Sequence, residues 1–397
     1  MVTFVSLLMF WQLGVSGGMA VFLSSVLFLP WVLKSFVRNL VQRTGRFRLM
    51  LHVSEMLLCV ALFVLAASFS CGIWCVFATL SVISMLCAWH ELLARMYYER
   101  ILPSRLQKLY NTFKILVSHA AVIFTYGALI LLVGSMEVFY RQIHRAWAMG
   151  CYLTAGLFSL FFVYHVFALA GFRENSASLR HSMGDSLRAE WHVIERICSK
   201  EGWHKAVTTL FFLLLPQSLM FYVRVLFFLD TTDHGGLECT IQEVGFAQGT
   251  IGVLAFCIGI GIGRILLARM SERDMFIPMS VILSLSPVVY LVLSWRLPSS
   301  LLCLCTATFL AQMFFGVGIC VCYRLVQVIS GDRYKNTVNL LYIPLTAACM
   351  ILPMGVSGWM SQVMGYRCYF TLNVLAAPVA WYVAARWKHS EMKFHNI

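Results

Sequence analysis

Residues Phe172 to Lys205 read FRENSASLRHSMGDSLRAEWHVIERICSKEGWHK, with eleven charges, and no other stretch of the chain is both as long and as polar. On either side the sequence consists of apolar runs of about 20 residues, the length a helix needs to cross about 30 Å of hydrocarbon. Before it lie Met19–Val37, Leu49–Ala67, Ile73–Tyr98, Leu109–Val133 and Trp147–Gly171. After it come Val207–Leu229, Val244–Met270, Phe276–Ser294, Leu301–Val328, Thr337–Met360 and Cys368–Trp387. Met1 to Gln12 is apolar but too short to span, and reads as the second half of a helix whose start is missing. The expectation is an all-α membrane protein with a helix bundle over 1–171, a linker over 172–205, a second bundle over 206–387 and a tail over 388–397.

Composition agrees. Of 397 residues, 60% are apolar or aromatic and 12% are charged, against about 25% charged in a soluble domain. A water-soluble globule, a disordered chain and a disulfide scaffold are excluded on that ground. The opening residues lack the basic start and cleavage site of a signal peptide. A net charge of +13 in a soluble protein would suggest nucleic acid, but in a membrane protein Lys and Arg collect in cytoplasmic loops. With Arg38–Arg48 placed in the cytoplasm and sides alternating, every Lys and Arg falls on the cytoplasmic side except Arg141, Arg145, Arg224, Arg296 and Arg367. Both termini are then cytoplasmic, and no nucleic-acid partner is expected. The 14 Cys form no CxxC pair, and they read as small packing residues, with no metal site or cofactor implied.

Ionisable groups inside hydrocarbon are costly, so each is a candidate for function. Glu91 and His90 are the candidates for proton coupling: a partly desolvated Glu can exchange a proton near neutral pH. Arg95, four residues on, shares a helix face with Glu91 and offers the plainer reading of a local ion pair. Lys114, Arg224, Gln217 and Gln312 are the candidates for solute binding. Snorkelling to the nearest interface is the alternative for Lys114 and Arg224. Glu55, His119 and His165 are also placed in apolar runs, and single His residues there are expected to be satisfied within the bundle. Gly249, Gly252, Gly259 and Gly263, with Gly245, are expected on one face of helix 8, where another helix comes close. Asp230, Asp233, His234 and Glu238 form an acidic loop, expected to be solvated. No catalytic set or ATP-binding loop is found, and an intramembrane enzyme is disfavoured.

Several segments resemble the AmpG-like muropeptide permeases, in the peptide–acetyl-CoA transporter branch of the major facilitator superfamily. They are Leu13-Gly14-Val15-Ser16, Leu29-Pro30-Trp31-Val32-Leu33-Lys34, Gly45-Arg46, Gly249-Thr250-Ile251-Gly252-Val253, Ile277-Pro278-Met279 and Leu352 to Trp359 with Met364-Gly365-Tyr366. The resemblance implies a major-facilitator-type bundle of about 12 transmembrane helices, the first truncated, in two pseudo-symmetric six-helix halves. It also implies a monomeric, proton-coupled permease of the bacterial inner membrane, taking a small solute such as a cell-wall fragment into the cytoplasm by alternating access. Lys34, Arg43, Gly45 and Arg46 would then form a gating loop. The sequence departs from that family at Asn39, Gln42, Glu91 and Gln217. The neutral residues at 42 and 217 support a second reading, a transporter-like fold acting as a sensor or assembly partner.

Overall fold

A computed structural model describes residues 2–34, 47–169, 202–271, 274–330 and 335–394, together with 192, 195 and 199. Most of the linker over 172–205 and the gating-loop residues Arg43, Gly45 and Arg46 lie outside the described residues, as do Asn39 and Gln42. Twelve helices follow in order among those described. They are α1 (Val2–Gln12), α2 (Gly17–Lys34), α3 (Phe47–Ser68), α4 (Ile73–Ile101), α5 (Ser104–Val122, continuing through Ile123–Ala128 to Leu129–Tyr140) and α6 (Ile143–Ala168). The second set is α7 (Trp203–Leu229), α8 (Ile241–Arg269), α9 (Phe276–Arg296), α10 (Leu301–Ser330), α11 (Lys335–Met364) and α12 (Tyr366–Phe394). Eleven of them are long and apolar enough to span a bilayer, and α1 is the short one.

The span in α5 is displaced from the sequence reading: it runs over Leu116–Tyr140, not Leu109–Val133. Ser104–Val122 mixes Arg105, Lys108 and Lys114 with apolar residues, so the helix begins well before its apolar part. It ends where Arg141 turns left-handed at φ 52°, its N–H still donating to Glu137 O.

Most cationic side chains inside the helices, including Lys34, Arg95, Lys114, Arg264 and Arg269, lie toward one end of the bundle, called here the basic face. The connections at 69–72, 141–142, 230–240, 297–300 and 365 make the opposite face. A single apolar core joins the two halves near the opposite face, with Leu8 (α1), Ile130 (α5), Trp147 (α6), Leu226 (α7) and Phe370 (α12) among its members. Toward the basic face the core divides. Phe47, Leu51 and Leu93 form one cluster in the first half, while Leu213, Phe276 and Val321 belong to another in the second. Burial of apolar area contributes about 25 cal/mol per Å², so the halves are joined chiefly at the opposite end.

Two close approaches make that join. α2 lies on α11, where the Gly18 N–H donates to Gln362 Oε1 at 3.0 Å and Gly358 packs on Val21 and Gly18. α5 lies on α8, where a Cβ at Gly249 would strike the Tyr126 carbonyl and the Gly127 nitrogen. The α8 glycines do not share one face, contrary to the sequence expectation. Gly245 and Gly249 meet α5, whereas Gly252, Gly259 and Gly263 meet α10 in their own half. The cause is local: Gly245–Gly252 is π-helical, and the wider turn shifts the phase that an unbroken α-helix would keep.

Candidate functional site

Glu91, in the second half of α4, is held by two side chains of α2. Lys34 Nζ is 2.7 Å from Glu91 Oε1, and the Trp31 indole N–H donates to Oε2 at 3.3 Å. Trp31 and Lys34 are three apart and so share a helix face. The Lys34 side chain is 10% exposed and that of Glu91 is 35% exposed. Lys114 of α5 and Arg95 of α4 lie close enough to act electrostatically on Lys34. One carboxylate therefore faces several cations at the basic end of the first half. Lys34 enters the site as the ionic partner of Glu91, a role that the sequence reading did not give it.

Arg224 of α7 does not snorkel. It is 6% exposed, its guanidinium lies 5.4 Å from the Phe221 ring centroid, and its Nε has no hydrogen-bond partner. Asp230, toward which snorkelling would carry it, accepts instead from the Tyr366 hydroxyl at 2.9 Å. No carboxylate pairs with Arg224 among the described residues. Burying an unpaired charge costs several kcal/mol, and such a cost points to a ligand.

Aromatic rings connect the two charged places. Phe221 is 5.1 Å from Phe4 and 5.7 Å from Phe28. Phe4 stacks on Tyr126 at 5.2 Å, and Phe28 lies 6.3 Å from Trp31. The strip crosses the seam, since Phe4, Phe28, Trp31 and Tyr126 belong to the first half and Phe221 to the second. It was missed in the sequence because its members come from four helices. Tyr222 fixes this layer, donating to the carbonyls of Thr3 at 2.6 Å and Ser24 at 3.1 Å.

The remaining candidates divide. Gln217 Nε2 donates to Leu283 O at 2.7 Å, tying α7 to α9 in a buried position. Gln312 of α10 reaches Gln248 of α8 at 3.4 Å, and Gln248 reaches the Tyr290 hydroxyl at 3.4 Å. His90 meets Ser54, and His165 meets Glu55. His119 stacks near Phe256 across the seam, with centroids 6.3 Å apart. In the acidic loop, Asp233 and Glu238 are exposed, and His234 sits 3.2 Å from Asp230 Oδ1.

The fold aligns with solved transporter structures over almost their whole length. The nucleoside transporter NupG aligns with 96% of this chain and 92% of its own, at a TM-score of 0.67 and 14% identity. The xylose transporter XylE from E. coli, in an inward-open conformation, aligns over 96% and 91% at a TM-score of 0.58 and 11% identity. A D-xylose–proton symporter aligns over 96% and 92% at 0.60 and 12% identity. The chain has the major facilitator fold. No protein-family model matches it, and no curated protein matches it in sequence. Here α1, α2, α5, α7, α8 and α11 form the wall between the halves; Lys34, Arg224 and the aromatic strip belong to this wall, and Glu91 reaches Lys34 from α4 behind it.

Proposed function

We propose that this chain is a secondary transporter that carries a small anionic solute along the seam between its halves. The observation that carries the reading is Arg224, buried to 6% exposure without a carboxylate partner. Lys34 and Lys114 add positive charge on the basic side of the same wall. The aromatic strip offers flat apolar surface for the body of the solute, as expected of a site with few polar groups and many rings. A muropeptide fragment, with carboxylates and an apolar body, is one solute of this class.

Alternating access follows from the seam. The halves share one apolar core toward the opposite end, and toward the basic end their cores are separate. The positive-inside rule assigns the basic face to the cytoplasm of a bacterial inner membrane. Glu91 supplies the coupling. When it is ionised, Lys34 is engaged; when it takes a proton, the Lys34 cation is released to attract solute. The experiment is uptake of a panel of anionic solutes, muropeptides included, into proteoliposomes with and without a pH gradient. Arg224→Gln is expected to abolish uptake, and Glu91→Gln to remove its dependence on the gradient. Equal uptake by Arg224→Gln and the unmodified protein would overturn the assignment. Absence of uptake with every solute would favour the sensor reading instead.

A further inference from the structure

Glu55 lies outside the seam, on the side of α3 that packs against α6, and is 7% exposed. His165 Nδ1 of α6 is 2.5 Å from its Oε1. His52, one turn earlier on α3, has Nδ1 3.7 Å from Oε2, and its ring meets the Phe162 ring edge-on at 6.4 Å. Neither ring nitrogen of His52 has a hydrogen-bond partner, nor does Glu55 Oε2. Behind them His90 Nδ1 of α4 is 3.1 Å from Ser54 Oγ, and the Ser54 hydroxyl donates to Leu51 O at 2.7 Å. With that hydroxyl hydrogen committed, Nδ1 of His90 is the donor and Nε2 is its basic nitrogen. The other ionisable neighbours are Cys59 on α3, Tyr98 and Glu91 on α4, and Tyr164 on α6. Arg48, at the start of α3, is bound to Val166 O at 3.4 Å.

A carboxylate this deeply buried has to be neutralised or paired. His165 provides one proton, shared with Oε1. The second oxygen then faces His52 with no donor between them, and a proton on His52 would fill that gap with a charge-assisted hydrogen bond. Among the described residues no group of three or more His, Cys, Asp or Glu is arranged to hold a metal ion, so the ligand that suits this gap is a proton. The His165 side chain is 31% exposed, which gives the site access from the outer edge of the bundle. Ser54 and His90 connect it to the helix that carries Glu91.

We infer that Glu55, His165 and His52 form a second proton-binding site, off the solute path and separate from the Lys34–Glu91 pair. It takes up one proton beyond the one shared by Glu55 and His165, held between His52 and the second oxygen of Glu55. The inference does not depend on transport. It is tested on the purified full chain in lipid nanodiscs, by counting protons released on a step from low to high pH and by recording the nitrogen resonances of ¹⁵N-labelled histidine. The Glu55→Gln variant is expected to release about one proton fewer per chain, while Glu91→Gln keeps the His52 and His165 titrations unchanged. In the unmodified protein, the signals assigned by His52→Gln and His165→Gln are expected to titrate as a coupled pair. An unchanged proton count in a folded Glu55→Gln variant would overturn the site. Should that variant fail to fold, His52 and His165 signals in the unmodified protein that do not move on the pH step would overturn it equally.

Discussion

The two ends of the molecule are built on different physics. At the opposite face the halves meet through backbone and rings, with Gly249 on the Tyr126 carbonyl, Gly358 on Gly18, and one continuous apolar core. At the basic face the apolar cores are separate, and the first half gathers charge there, in Lys34, Glu91, Arg95 and Lys114. Contact of the first kind responds to side-chain volume and hardly to pH. Charge of the second kind responds to protons and to charged solutes. One end of the molecule is thus set by shape and the other by ionisation.

The largest expected effect tests the contact set by shape. Gly249→Val places a branched side chain where even a Cβ would meet the Tyr126 carbonyl, and that backbone cannot rotate away as a side chain could. Overpacking costs about 1–3 kcal/mol, occasionally more, and here the cheapest relief is separation of α5 from α8. The variant is expected to lose thermal stability and to open at the opposite face. Cys239 reports on that opening. It borders a cleft of about 530 Å³ with Trp11, Gln12 and Arg141, and burial, aided by the nearby Glu243 charge, pushes its thiol up to about 12. Maleimide labelling at Cys239, read by mass spectrometry, should be faster in Gly249→Val. Unchanged labelling and stability would show that the seam is not closed by this contact.

Next in size is the ionic pair. Lys34→Met removes the nearest cation from Glu91 and leaves the carboxylate with the Trp31 indole. Because Glu91 keeps access to water, the loss is expected at about 1–2 kcal/mol, below the 3–5 kcal/mol of a fully buried pair. The double variant Lys34→Met with Glu91→Gln should recover most of it, and a thermal-shift double-mutant cycle measures the coupling. Additive losses would mean that the two side chains do not act as a pair.

Much of the architecture was legible in the sequence, because a bilayer demands long apolar helices and sorts cations by side. The eleven spans follow from run length alone. The end of α5 and the faces of α8 were not legible. A mixed-polarity start hides the boundary of Ser104–Val122, and the π-helical stretch at Gly245–Gly252 alters a phase that spacing assumes constant. Among the site residues, the intramembrane charges Glu91 and Arg224 were visible because each is expensive where it lies, whereas Lys114 lies just before the α5 span. Their partners were not. Lys34 was read as part of a loop, and the rings that join it to Arg224 are unremarkable in a chain with 30 Phe. Which ring faces the seam depends on tertiary packing, and an apolar sequence offers no polar contrast to show it.

The smallest effect sharpens the shape argument by removing the shape. Gly261 sits on α8 between Gly259 and Gly263, yet a Cβ there would have no neighbour within 4 Å, whereas at Gly259 it would strike the Met313 carbonyl. If close packing decides the effect of an α8 glycine, Gly261→Ala should leave stability unchanged or raise it by up to about 1 kcal/mol, through the intrinsic helix preference of Ala. Gly259→Ala should lower it, since its neighbour is the backbone of α10. Thermal unfolding of the two variants in the same detergent compares them directly. The two residues share a helix, a composition and a depth to within one turn, so only the neighbouring helix differs. A loss at Gly261 equal to that at Gly259 would mean that glycine acts here through helix flexibility, and the contrast between packed and open glycines would fall.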